Sequence, residues 1–317
     1  MLSSIAKNIS KRIIEKILSL KILRAKNLFL IKIIKNRSQS VYSKHCDSNY
    51  ITIRPLELAR EYAENLKSEN GFTGKRFLDF GCGESNPLGT AAVLYINGAG
   101  EIVSTDIKKI DDEHIAYSLY ELLIEVYLNP SKYYLSLTEK RLFTERLGEF
   151  SMKHLREGDL SSGLGKAKIS FRKMNPGSEM PVGKKYDIIA SVSVLEHVQG
   201  LEEYLKWFGR ILDEEGVMYH HIDLVDHRAY TRPGKYNYWT FLTIENYKDT
   251  VSNMLRHEEI AKLVRENGFE ITQETKMTNE VPDSIYNSLS GSYNKFSKEE
   301  ISITGTKALM KKIKGAV

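Results

Sequence analysis

Four of the eight histidines of this chain fall within 31 residues, as His197, His220, His221 and His227. An imidazole is the side chain best suited to taking a proton near neutral pH, and a carboxylate beside it fixes its tautomer and steadies the charge it gains. Glu196, Asp223 and Asp226 stand in the same stretch. A second set of residues lies upstream, where Gly81-Cys82-Gly83-Glu84 is followed by Asp106. Glycines let a backbone approach a ligand closely, and an acid at the end of the next strand can accept both hydrogen bonds of a ribose diol. The two sets together suggest a nucleoside-bearing cofactor and a proton acceptor.

Particular elements must position these residues. Residues 76–80 read as an apolar strand entering the Gly-x-Gly turn. A helix follows over Pro87–Tyr95, and Glu101–Asp106 reads as a second strand ending in the acid. A dinucleotide site would want a third glycine at position 86, which is Asn86, and its pyrophosphate would be repelled by Glu84. A nucleoside without phosphate, carrying a cationic centre, tolerates both. The run Leu78-Asp79-Phe80-Gly81-Cys82-Gly83 resembles motif I of the class I, Rossmann-like methyltransferases that use S-adenosylmethionine (SAM). The resemblance implies an α/β, doubly wound, mostly parallel seven-stranded sheet with a reversed edge strand. It also implies SAM as cofactor, with Asp79, Phe80, Gly81 and Gly83 at the turn, Asp106 on the ribose, Ile107 beside it and Ser191 after the fourth strand. Asn175 takes the place where relatives carry an acid for the adenine amino group, and Arg54 the place where they reach the methionine carboxylate.

The rest of the chain follows the same plan over roughly residues 50–311. Strands are expected at Lys168–Lys173, Lys185–Ser191, Val217–Leu224, Phe269–Thr275 and, reversed, Ile301–Lys311. Helices are expected at Leu56–Leu66, Leu201–Leu212 and Glu258–Asn267, the last closed by Gly268. Ligands of such folds sit at the C-terminal rim of the sheet. His220 and His221 are neighbours on a strand and point to opposite faces, so one of them enters a packed layer. Asp223 shares the face of His221, and Asp226-His227 lies just beyond. His227 is the first candidate base, with His221 and His197 as alternatives. Ubiquinone-pathway O-methyltransferases and small-RNA 2′-O-methyltransferases carry Glu-x-x-Glu-His at the position of Ser193–His197, where it binds a divalent ion. Here the first Glu is Ser193, so no metal is expected; Glu196 and His197, with a residue such as His221, are the residues that would ligate one.

Residues 107–167 form an insertion, read as a lid or dimerisation element. Helices are expected at Ile115–Leu128 and Glu139–Leu155, with a mobile loop over residues 157–165. Tyr117, Tyr120, Tyr127, Tyr133 and Tyr134 serve as packing residues or as a face for a sugar or other flat ligand. Residues 1–40 form a separate basic arm ahead of a domain over 41–317. The arm carries ten Lys or Arg and one acid, net +9, whereas the remainder has 36 basic and 40 acidic residues, net −4. Ile5, Ile9, Ile13, Ile17 and Leu20 follow helical spacing. A basic amphipathic helix of this kind suits an anionic membrane surface. Its apolar runs are too short to span a bilayer. The two cysteines, Cys46 and Cys82, form no disulfide or metal pattern, which fits a reducing compartment. The acidic body argues against a nucleic-acid partner.

The segment His220-His221-Ile222-Asp223-Leu224-Val225-Asp226-His227 resembles a subgroup of these methyltransferases linked to glycan or cell-surface biosynthesis, and the resemblance implies an O-methyltransferase acting on a small or glycan-like acceptor in the cytoplasm, peripheral to the inner membrane face and with a homodimer as one option. The alternatives are a catalytically silent SAM-binding scaffold for a membrane-associated partner and an RNA methyltransferase.

Overall fold

The computed structural model describes residues 49–66, 73–174, 185–245, 247 and 252–315. The basic arm, Cys46 and Asn175 lie outside these residues, as do the readings that rest on them. The strands are β1 (Arg76–Phe80), β2 (Glu101–Asp106), β3 (Ile169–Lys173), β4 (Tyr186–Val192), β5 (Leu212–Asp223), β6 (Phe269–Thr278) and β7 (Ile303–Lys312). They form one seven-stranded sheet in the order β3-β2-β1-β4-β5-β7-β6. β1 with β4, β2 with β3 and β4 with β5 pair in parallel. β7 runs antiparallel to both β5 and β6, so the reversed strand lies one place in from the edge and β6 lies outside it. Interior parallel strands are covered on both faces and so read as unbroken apolar runs; the buried Phe77-Leu78 and Ile188-Ile189-Ala190 fit this rule.

The described residues divide into two units, 49–75 with 82–174 and 76–81 with 185–315. The first unit holds β2, β3, a π-helical turn at Asn49–Ile53 and seven α-helices among the described residues: α1 (Arg54–Asn65), α2 (Gly89–Ile96), α3 (Asp112–Leu128), α4 (Pro130–Tyr133), α5 (Lys140–Leu147), α6 (Met152–Arg156) and α7 (Leu160–Leu164). All eight residues of α2 are buried, so this helix is apolar all round. A Cβ on Gly89 would stand 2.6 Å from Pro55 Cγ, so a glycine lets α1 approach α2 this closely.

Two expectations for the insertion are corrected. The single helix expected over 139–155 is two, α5 and α6, because the chain breaks at Gly148–Ser151 to bury Phe150 edge-on against Tyr95. Ser151 N then donates to Gly163 O. The expected loop over 157–165 contains α7, whose first turn is capped by Asp159 accepting from Ser162 N at 3.0 Å. Its Gly163 is pressed against Leu155, where a Cβ would come within 2.4 Å of Cδ2. The tyrosines of this region serve packing: Tyr120 and Tyr133 are buried, and the hydroxyls of Tyr127, Tyr133 and Tyr134 donate to the carbonyls of Leu147, Thr52 and Thr138.

The second unit holds β1, β4–β7 and α8 (Leu201–Ile211), α9 (Arg228–Thr231), α10 (His257–Glu266), α11 (Asp283–Tyr286) and α12 (Lys298–Ile301). Leu201, Tyr204, Leu205 and Phe208 recur every three or four residues on the buried stripe of α8. Phe80 of β1 meets that helix, its ring 5.2 Å from Phe208 and 5.7 Å from Tyr204. β5 starts five residues before the expected Val217, because Leu212 already pairs with Tyr186 ahead of a bulge. A smaller core of Trp239, Phe241, Leu242, Val281, Leu289, Phe296 and Ile301 supports the segments that follow β5 and β6. Among the described residues, no helix is long and apolar enough to cross a membrane.

Candidate active site

In the first unit the acid of β2 organises the turn that follows β1. Asp106 Oδ2 accepts from Gly83 N at 3.0 Å and Oδ1 from Lys108 N at 3.0 Å. A carboxylate has about four acceptor positions, so two remain on a partly exposed side chain, the number a vicinal diol requires. Gly83 adopts φ 78°, and a Cβ there would meet nothing within 4 Å. The turn therefore presents bare backbone to open space, as a nucleoside cofactor needs. Ile107, the next residue, is 64% exposed. Glu84 is paired with Lys108 at 2.9 Å. Asn86, which stands in place of the third glycine, is buried and ties Ile51 O and Ser118 O together through its amide. Arg54 opens α1 beside Glu57, 3.9 Å away.

The second unit shows a different reason for the other glycine of the motif. Gly81 has φ 75°, and a Cβ there would lie 2.4 Å from Val194 Cγ2. Gly81 thus makes room for the turn that follows β4. Asp79 is buried, and the Phe80 ring is enclosed by α8, which leaves the turn only its backbone. Ser191 is buried, its hydroxyl 2.8 Å from His220 Nδ1. His220 stacks on Phe208, and burial pushes its pKa down to about 3. His220 is thus the histidine of the packed layer.

The turn after β4 carries the remaining reactive groups. Ser193 sits at φ 54°, a left-handed conformation that costs a non-glycine residue about 1–2 kcal/mol. Its amide donates to His221 O. Leu195–His197 then forms one 3-10 turn. Asn253 clasps this turn from a distant segment, its side chain donating to Leu195 O at 2.7 Å and Val198 O at 3.1 Å, and its backbone amide to Glu196 O. Held this way, Glu196 is only 1% exposed and neither carboxyl oxygen completes a hydrogen bond. Burial raises its pKa to about 8, Asp223 adding to the shift and the amides of Glu196 and Asp223 opposing it.

His227 faces this turn. Its ring lies 4.8 Å from that of His197, and its Nε2 is 3.6 Å from Asp223 Oδ2. Tyr230 donates to the same oxygen at 2.9 Å. Ligand-capable atoms of Glu196, His197 and His227 all lie within 4.8 Å of one another. Asp223 and His227 therefore lie side by side, and His197 and Glu196 join them. His221 is half-buried on β5, two residues before Asp223. Asp226 is turned away, buried and held by Arg228 at 2.6 Å. Asn253 and Tyr230 were missed in the sequence: each acts through a contact that no local pattern announces.

A comparison with protein families matches the one described as a methyltransferase domain over residues 50–274. No curated protein matches the chain. Solved structures do. A SAM-dependent methyltransferase from Mesorhizobium loti is 10% identical, with 80% of this chain and 99% of that one covered and a TM-score of 0.43. Magnesium protoporphyrin IX methyltransferase from Synechocystis, solved with bound S-adenosylhomocysteine (SAH), is 11% identical over 81% of this chain and 83% of that one, at 0.43. A SAM-dependent methyltransferase from Clostridium acetobutylicum is 11% identical over 89% and 98%, at 0.42. The structural likenesses are distant, and the assignment rests on the family match and on the chain's own residues.

Proposed function

We propose that this chain, which belongs to the methyltransferase-domain family and has SAM as its cofactor, delivers the methyl group to a hydroxyl oxygen of a small or glycan-like acceptor, with His227 as the base. The chain is an enzyme, a SAM-dependent methyltransferase. Bound SAM supplies an electrophilic methyl group on a sulfonium. The chain's residues then have three tasks: to hold the nucleoside, to orient the acceptor and to receive its proton.

Asp106 holds the ribose through its two remaining acceptor positions, and Gly83 keeps the space beside the turn clear. Ile107 lies against the nucleoside, and Arg54 and Asn175 remain candidates for the methionine carboxylate and the adenine. His227 takes the acceptor proton. Asp223 orients that ring and steadies its positive charge, while Tyr230 fixes Asp223. His197 lines the same space.

The observation that carries this reading is the His227–Asp223–Tyr230 chain, with Nε2 3.6 Å from the carboxylate that the phenol also holds. The test is transfer of a labelled methyl group from SAM to a panel of sugars and small alcohols, together with SAH calorimetry. Binding of SAH by His227→Ala without turnover supports the reading. Full turnover in that variant removes His227 as the base, and transfer only to amines or carbon acids removes the hydroxyl acceptor.

The arm of residues 1–40 is proposed to hold the enzyme on the anionic cytoplasmic face of a membrane. Flotation with phosphatidylglycerol vesicles should recover the full chain and fail for the chain lacking residues 1–40. Recovery of both would refute the role.

A further inference from the structure

We propose that the segment from His227 to Tyr238 selects an anionic saccharide as acceptor. A sugar ring stacks on Tyr230, and its carboxylate or phosphate meets Arg232 and Lys235. The inference rests on the reading of His227 as the base and names the class of acceptor that reaches it. Three observations carry it.

The first is a row of rings that starts at the base. The centroids of His197, His227, Tyr230 and Tyr238 follow one another at 4.8, 6.0 and 6.2 Å. Tyr230 is 58% exposed, yet its hydroxyl is anchored on Asp223 at 2.9 Å. A lone exposed tyrosine needs no explanation. This one is held beside the base by the carboxylate that orients the base. The negative face of such a ring attracts the C–H edge of a sugar.

The second is charge. No Asp or Glu occurs from His227 to Ile244, whereas Arg228, Arg232 and Lys235 do. The local excess is positive in a body that is net −4 beyond residue 40. Arg232 is exposed and makes no ion pair or side-chain hydrogen bond among the described residues. Lys235 is exposed too, and its amide donates to Arg232 O at 3.2 Å, so one turn carries both cations. Two peptide steps separate Arg232 from Tyr230, at most about 7.6 Å between Cα atoms. One saccharide with a charged substituent covers that span.

The third is preorganisation. Arg228 is spent inside the segment: it forks onto Asp226, and its guanidinium lies 4.4 Å from the Tyr236 ring and 4.6 Å from the Tyr247 ring. Asp226 N donates to Tyr238 O at 2.9 Å and closes the loop. The brace holds the turn, so the acceptor does not have to order it on binding. Two exposed cations suit one anionic group better than a polyanion, whose binding draws on many phosphate contacts.

The test titrates the full chain, with and without SAH, by ligand-detected NMR. The probes are glucuronate, glucose 1-phosphate and neutral methyl glucoside, with a single-stranded oligoribonucleotide alongside. The two anionic sugars should bind at least about 10-fold more tightly than methyl glucoside, the size of one charge-assisted hydrogen bond. The stronger of the two identifies the anionic group. Arg232→Ala combined with Lys235→Ala should abolish the preference and leave SAH and methyl glucoside affinities unchanged. About 1 M salt should abolish it in wild type.

Tyr230→Phe keeps the ring and loses the grip on Asp223, so it should lower turnover and preserve sugar affinity. Tyr230→Leu should weaken sugar binding by about 2–10-fold. The two cation substitutions are exposed and remain decisive if Tyr230→Leu fails to fold. Equal affinity for anionic and neutral sugars, a preference that survives the double variant, or tighter binding of the oligoribonucleotide overturns the proposal. Equal sugar affinities in Tyr230→Phe and Tyr230→Leu overturn the stacking role. Methyl transfer to neutral sugars alone removes the anionic site and leaves the base. Anionic sugars that bind through Arg232 and Lys235 but accept no methyl group do the reverse.

Discussion

Around Asp106, polar groups are spent close to home: its two oxygens take amides from Gly83 and Lys108, and Glu84 pairs with Lys108. Around His227 the partners come from separated stretches, with Glu196 and His197 after β4, Asp223 at the end of β5, Tyr230 in α9 and Asn253 before α10. The first arrangement is short, self-contained and built mostly from backbone. The second is assembled from side chains and leaves a carboxyl unsatisfied. A site whose task is to recognise an invariant nucleoside can be completed locally. One that must handle a particular acceptor is built from segments that can vary independently.

The sharpest way to break this comparison is to remove one residue from each region. His227→Ala should lower turnover by about 10²–10⁴-fold, the usual contribution of a positioned base, and leave SAH affinity nearly unchanged. Asp106→Ala should do the opposite in calorimetry. Loss of two charge-assisted hydrogen bonds at about 1.5–3 kcal/mol each costs about 100-fold or more in SAH affinity. If His227→Ala also abolished SAH binding, the two regions would not be separable.

The two motif glycines should separate next, by stability. Gly81→Ala places a Cβ 2.4 Å from Val194 Cγ2 at a positive φ. Strain of about 1–2 kcal/mol plus overpacking of about 1–3 predicts a loss of roughly 2–5 kcal/mol in urea unfolding. Gly83→Ala meets open space and should cost only the backbone strain, about 1–2 kcal/mol, while weakening SAH because the new methyl occupies the ligand's side of the turn. Equal unfolding midpoints for the two variants would refute the packing role of Gly81.

A smaller effect is expected at Asn253. Its replacement by Ala removes two side-chain hydrogen bonds that hold the 195–198 turn. A loss of about 1–3 kcal/mol should follow, with turnover falling more than SAH affinity. Unchanged turnover in a folded variant would show that the clasp does not position the cluster.

The same contrast explains what the sequence made legible. β2 was readable to the residue, because a buried strand ending in an acid declares both of its boundaries locally. So was the start of α8, with Gly200 ahead of an amphipathic stripe. The insertion misled at two points. The break between α5 and α6 follows from burying Phe150 against Tyr95, a contact 55 positions apart in the chain. A serine- and glycine-rich stretch became α7 because Asp159 caps it and Gly163 fits against Leu155. In the cluster, the histidines were visible as residue types, but the pairing of Asp226 with Arg228 rather than His227 and the reach of Asn253 are settled by tertiary packing.

The smallest effect concerns two other histidines of the second unit, where burial acts with and without carboxylates. His220, buried and lacking an acid, has its pKa pushed down to about 3. His257 is raised, by Glu300 first and by Glu274, which lies 2.8 Å from its Nε2. Below the unfolded value of about 6.5, the unfolded chain binds a proton that native His220 refuses, so stability is lost as pH falls, by at most ~1.4 kcal/mol per pH unit. Above about 6.5, native His257 keeps a proton that the unfolded chain releases, so its contribution is lost as pH rises through its native pKa. Urea unfolding between about pH 5 and 8 should therefore show His220→Gln flattening the acid limb and His257→Gln flattening the alkaline limb. Flattening of the alkaline limb by His220→Gln would mean that the buried ring carries its proton after all, and that Ser191 accepts from it.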